Sequence, residues 1–131
     1  MNKFIASRNS NIFYTSNDIG VKPILSQLNQ NQNYFKDADI EDTIIGKAAA
    51  SLLVYGKVHS VYAHVISQAG KEYLEQFNIP FHYDTLVKEI RNRTDTDMCP
   101  LEKSVLYIED PIKAKQALEK TIQEIMKGNA K

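Results

Sequence analysis

The chain is 131 residues long, enough for one ordinary domain that buries a continuous core without staples. Its 16 Lys+Arg balance its 16 Asp+Glu, so no basic excess draws it onto a nucleic-acid polymer or an acidic membrane surface. Cys99 is the single cysteine, which excludes an intramolecular disulfide and any metal site that needs two thiolates from one chain.

Residues 1–8 lack the apolar run of a signal peptide, and no apolar stretch reaches the roughly 18 residues of a membrane span, so a soluble cytoplasmic protein is expected. Lys3 to Ser7 and Asn11 to Ser16 are short runs carrying Phe4, Ile5, Ile12, Phe13 and Tyr14. The Asn9-Ser10 pair between them tolerates tight-turn geometry, and the spacing predicts a β-hairpin. Gly20 breaks that pattern, and Pro23 suits the first turn of a short helix with Ile24, Leu25 and Leu28 on its apolar side. The Gln/Asn tract from Asn29 to Asn33 reads as a solvated connection.

An acidic run, Asp37, Asp39, Glu41 and Asp42, leads into the stretch around which the chain is organised, residues 42–56. At helical spacing Thr43, Lys47 and Ser51 share one narrow stripe, and Ile44, Ile45, Ala48, Ala49, Leu52 and Leu53 cover most of the rest. That pattern predicts a buried helix with Asp42 as N-cap and Gly56 as its stop. Two residues sit badly in it. Gly46 in a helix interior costs about 1 kcal/mol against Ala, and Lys47 puts a cation near the positive end of the dipole. Those mismatches mark a site.

Val58 to Ile66 alternates with cover wanted on both faces, as an inner strand does. Ser67 then caps a helix carrying Ala69, Tyr73, Leu74 and Phe77 and ending at Asn78, and Pro80 to Tyr83 makes a short strand that completes a βαβ unit. Asp84 is expected to cap a helix with Leu86, Val87 and Ile90, followed by a polar loop over residues 92–98. Pro100 and Glu102 suit positions N1 and N3 of the next helix. Asp110-Pro111 starts the last one, about 111–127, with Gly128 as its stop and a frayed tail to 131. The sum is a single α/β domain, with a mixed sheet of about four strands formed by the hairpin and a parallel pair.

Cys99 stands at a helix N-terminus, where unpaired N–H groups and the dipole favour a thiolate; a small buried hydrophobe is the other reading of a lone cysteine. The loop before it holds Asn92, Arg93, Asp95 and Asp97, with Arg93 offering a planar fork for carboxylate or phosphate, although Asp and Thr are also ordinary turn residues. His59, His64 and His82 lack the spacing of a metal set, so no metal or cofactor is expected.

Three segments carry a likeness to a known family: residues 42–50, Val61-Tyr62-Ala63 with Ser67, and Asn92-Arg93 followed by Cys99-Pro100-Leu101-Glu102. From about Gly20 to Val105 the chain resembles a bacterial domain family of the cytidine deaminase-like fold superfamily. The resemblance implies a three-layer α/β/α sandwich with helices on both faces of the sheet. Zinc deaminases of that fold start one helix with His-x-Glu and the next with Pro-Cys-x-x-Cys. This sequence has Gly46-Lys47-Ala48 and Ser67 to Gly70 at those places, so the resemblance implies a domain without the catalytic zinc. Metal-free enzymes of the superfamily use the same crevice for other chemistry. There the starts of the central and following helices share one pocket, which would gather Lys47, Ser67 and the loop from Asn92 to Cys99.

Two functions follow. The first is a pocket for an anionic or nucleotide-like small molecule, with Lys47 and Cys99 as catalytic groups and Asp42, Gly46, Ser67, Asn92, Arg93, Asp97 and Glu102 around the ligand. The second is a non-catalytic interaction module, a homodimer through the C-terminal helix or an edge strand.

Overall fold

The computed structural model describes residues 3–18, 20–92 and 94–129. The hairpin forms as expected from β1 (Phe4–Arg8) and β2 (Asn11–Ser16), and Asn9 and Ser10 take the paired positive φ values, 51° and 68°, of a tight two-residue turn. Then follow α1 (Lys22–Gln30), β3 (Asp39–Ile45), α2 (Lys47–Tyr55), β4 (Ser60–Ser67), α3 (Gln68–Gln76), β5 (Phe81–Val87), α4 (Pro100–Val105) and α5 (Pro111–Asn129). The sheet runs β2-β1-β3-β4-β5, with β1 antiparallel to β2 and β3, and with β3, β4 and β5 parallel.

The helices α2 and α3 are successive crossovers stepping the same way across the sheet, and right-handed connections therefore lay both on one face. The other helices, α1, α4 and α5, also pack on α2. Every residue from Lys47 to Leu53 is consequently buried, and the core joins Phe4, Ala6, Ile40, Val61 and Ala63 of the sheet to Ile24, Leu52, Leu74 and Leu118 above it.

The structure corrects four expectations. The segment read as the start of the central helix is a strand, β3, and this raises the count to five. Ile40 and Asp42 are buried while the alternating Asp39 and Glu41 are not, a period of two that the Thr43, Lys47, Ser51 spacing masks. Asp42 is therefore no N-cap; that position belongs to Gly46, which leaves the helix interior and loses its expected cost. Secondly, Asp84 caps no helix. Residues 81–87 pair in parallel with β4, and Asp84 accepts from Tyr62 Oη at 2.7 Å and sits 3.0 Å from His64 Nδ1.

Thirdly, among the described residues the helices do not flank both faces. The face of β3 and β4 turned away from α2 presents Asp39, Glu41 and His64 with side chains 46%, 43% and 44% exposed. The reason lies in α2 itself: with no polar face it needs cover on its outer side as well, and α5 supplies it. Lastly, Gly128 lies within α5, which runs on to Asn129. No helix among the described residues is long and apolar enough to cross a membrane.

Gly70 lets α3 approach the start of α2: a Cβ there would lie 3.0 Å from the Ile45 carbonyl oxygen and from the Gly46 carbonyl carbon. Ala normally gains about 1 kcal/mol over Gly inside a helix. Gly70→Ala should instead lower stability by about 1–2 kcal/mol, read as a fall in the urea midpoint at constant slope.

Candidate functional site

After β3 the chain turns at Gly46 and enters α2, whose first N–H groups need acceptors. Gly46 has no side chain to offer. The acceptor comes from α4: the Lys47 N–H donates to Glu102 Oε1 at 2.8 Å and the Ala48 N–H to Oε2 at 2.9 Å. A Cβ on Gly46 would stand 2.3 Å from Glu102 Oε1, so any other residue here would push the carboxylate off these two N–H groups. Glu102 is 7% exposed. Its burial raises the carboxyl above the usual range, opposed by the Ala48 and Lys47 N–H groups and the Lys47 charge.

Lys47, 6% exposed, reaches past this contact. Its Nζ donates to the Leu106 carbonyl at 3.0 Å, meets Glu109 Oε1 at 3.3 Å and lies 5.8 Å from the centre of the Tyr73 ring. Tyr73 Oη in turn donates to the Glu109 carbonyl at 2.7 Å, and burial pushes its phenol up to about 12, so it stays neutral. Lys47 and Tyr73 thus pin the connection between α4 and α5 onto α2 and α3.

Beside this contact opens a cavity of 230 Å³, bordered by Lys47, Ser67, Glu72, Lys88, Met98 and Glu102, beyond the carboxyl ends of β4 and β5. Ser67, 1% exposed, borders it and caps α3 by accepting the Gly70 N–H at 3.0 Å. A second cavity of 220 Å³ is bordered by Ile44, Ala48, Cys99, Leu101 and, again, Glu102. Glu102 and Ile90 border both.

Of the residues singled out in the sequence, Gly46, Lys47, Ser67 and Glu102 meet. Cys99 does not join them: it is the N-cap residue of the six-residue α4, half-buried, and it lines the second cavity. Asp42 lies on β3 before the turn and borders neither cavity. Asn92 is half-buried and Asp97 exposed, and both close their own loop, Asn92 through Thr94 and Thr96, and Asp97 through Lys103 and the Met98 N–H. The Lys103 ammonium holds the Asp97 carboxyl below the usual range. Arg93 lies outside the described residues.

The sequence did not point to Lys88, Glu72, Tyr73 or Glu109, because their place beside Lys47 depends on how α3, β5 and the α4–α5 connection come together. The three histidines lie on or beside the sheet, away from this cavity, with His64 bonded on both ring nitrogens by Glu41 and Asp84. Among the described residues no group of three or more His, Cys, Asp or Glu side chains is arranged to hold a metal ion.

A family model described as a domain of unknown function, DUF1893 (TM1506), matches residues 2–122. The chain belongs to the DUF1893 family. It is also similar to the crystal structure of a DUF1893 family protein, TM1506, from Thermotoga maritima, at 27% identity and a TM-score of 0.82 over 91% of this chain and 80% of that one. No curated protein matches it. The DUF1893 match runs from β1 into α5 and so takes in both cavities and the Glu102 contact.

Within this DUF1893 domain Asp42 is the acid with least support. It is 1% exposed; Oδ1 accepts the Thr43 N–H at 2.7 Å, and Oδ2 has no partner among the described residues. Burial pushes its carboxyl from 3.8 to about 7. The folded chain then holds this proton more tightly than the unfolded chain, so the contribution is most favourable below pH 4 and is lost as pH rises toward 7. At about 1.4 kcal/mol per unit the interval amounts to roughly 4 kcal/mol. Asp42→Asn should flatten that part of the stability profile, gaining about 1–3 kcal/mol at pH 8 and nothing at pH 4, as read by urea unfolding across pH.

Proposed function

We propose that this DUF1893 chain binds a small polar metabolite in the 230 Å³ cavity between the starts of α2 and α3, as a zinc-free relative of the cytidine deaminase-like proteins. One observation carries the reading: the cavity lies past the carboxyl ends of parallel strands, where open α/β sheets hold ligands, and a buried carboxylate, Glu102, forms its wall. The zinc-free part rests on the helix starts. With β3 counted, α1, α2 and α3 begin Val21-Lys22-Pro23, Gly46-Lys47-Ala48 and Ser67-Gln68-Ala69, and none offers a histidine or a cysteine.

The lining limits the ligand. The positive end of α2 already holds the Glu102 carboxylate, and Lys47 and Lys88 face Glu72, Glu89 and Glu102, so a polyanion gains little there. The volume also falls below the roughly 300–1,000 Å³ of drug-sized pockets. A single anionic group for Lys88, with amine or amide N–H groups turned to Glu102, fits both limits; a nucleobase acid or an amino acid has that pattern. Glu102, raised by burial, is the group to exchange a proton with such a ligand. Cys99 opens onto the second cavity and is left out of this chemistry.

A thermal-shift screen of nucleobases, nucleosides, amino acids and inorganic phosphate tests this. At about a hundredfold excess over Kd a true ligand adds about 2.7 kcal/mol, a rise of several degrees in Tm. Lys88→Ala should abolish the rise without altering the unliganded melting point, and Cys99→Ser should leave it intact. No rise with any compound, or a rise lost only in Cys99→Ser, overturns the proposal.

A further inference from the structure

The sheet ends at β5, and five consecutive residues of that strand, His82 to Leu86, are exposed. The Val61 N–H donates to the Pro80 carbonyl at 3.0 Å, which sets the phase of the strand: His82, Asp84 and Leu86 turn their main-chain groups toward β4. Phe81, Tyr83, Thr85 and Val87 therefore turn theirs outward, to an edge with no partner among the described residues. Between Phe81 and Val87 there is no lysine, proline or bulge, the devices that keep such an edge from pairing.

We propose that a second copy of this chain pairs on β5, antiparallel, about a two-fold axis at Tyr83, so that two sheets become one. Tyr83 then exchanges main-chain hydrogen bonds with the partner's Tyr83, and Phe81 with the partner's Thr85. His82 stands opposite the partner's Asp84 at the non-hydrogen-bonded positions, where facing side chains are closest. Charge selects this register. Sliding the two-fold one way sets Asp84 against Asp84, two like charges directly opposite, and sliding it the other way sets His82 against His82, which forgoes the imidazole–carboxylate pair.

The side chains are ready for it. His82 and Asp84 share the open face with Tyr62 and His64, and the Asp84 carboxylate is already steadied by the Tyr62 hydroxyl at 2.7 Å and His64 Nδ1 at 3.0 Å. The partner's imidazole would extend a network that runs Glu41, His64, Asp84 within one copy. A contact made mainly by one strand falls short of the roughly 1,200–2,000 Å² of a stable complex, so the dimer dissociates on dilution.

Sedimentation of the full chain across the micromolar range tests this. The expected mass passes from one chain to two as concentration rises. Tyr83→Lys sets two ammonium groups against each other across the axis, and Tyr83→Pro removes an N–H that β4 does not use; both should stay monomeric with unchanged far-UV dichroism. His82→Asp, which makes the facing pair repulsive, should do the same and covers the case in which a Tyr83 variant fails to fold. A wild-type chain that stays monomeric throughout, or a dimer that survives in the folded variants, overturns the proposal.

Discussion

The carboxylate of Glu102, set across the first N–H groups of α2, is the contact on which the rest depends. A helix that begins inside a protein has donors no water can reach, and each buried donor without an acceptor costs on the order of 1–3 kcal/mol. The usual answer is a serine, threonine, aspartate or asparagine at the N-cap. Here the N-cap is Gly46, and the acceptor is lent by a helix that comes more than fifty residues later. The glycine follows from the loan, since any Cβ would occupy the place of the carboxylate.

That contact ties the C-terminal third of the chain to its centre. Lys47 and Tyr73 hold the Leu106 and Glu109 carbonyls, which keeps α4 over the start of α2 and aims α5 along its outer side. The mismatch of a lysine at the positive end of a helix disappears in this setting. Its own dipole's positive end is answered by Glu102, and its ammonium lies a full side chain away, against a carbonyl and Glu109. The two buried acids differ in the same light. Glu102 has a donor for each oxygen, whereas Asp42 has one donor and an unanswered oxygen, and burial raises it to about 7.

With every helix drawn to α2, the far side of the sheet is left to polar side chains. Glu41, His64, Asp84 and Tyr62 satisfy one another there, and the bonds from His64 to Glu41 and Asp84 raise its imidazole above the usual range. Half-exposed pairs of this kind contribute about 0–1 kcal/mol each, so they organise a surface more than they hold the fold together.

Local pattern determined the hairpin, α1, β4, α3, α4, α5 and the starts at Pro23, Ser67, Pro100 and Pro111, because turn residues, caps and apolar spacing act over a few positions. It also singled out Gly46, Lys47, Ser67 and Glu102. It misread residues 42–45 and 84–87, where short mixed runs fit a helix as well as a strand and only pairing with β4 decides. Tertiary structure alone decided that Lys47 and Cys99 open onto different cavities, that Glu102 borders both, and that among the described residues no helix covers the outer face of β3 and β4. Those outcomes depend on which elements meet across fifty residues of chain, and no spacing along the sequence encodes the direction from which a distant carboxylate arrives.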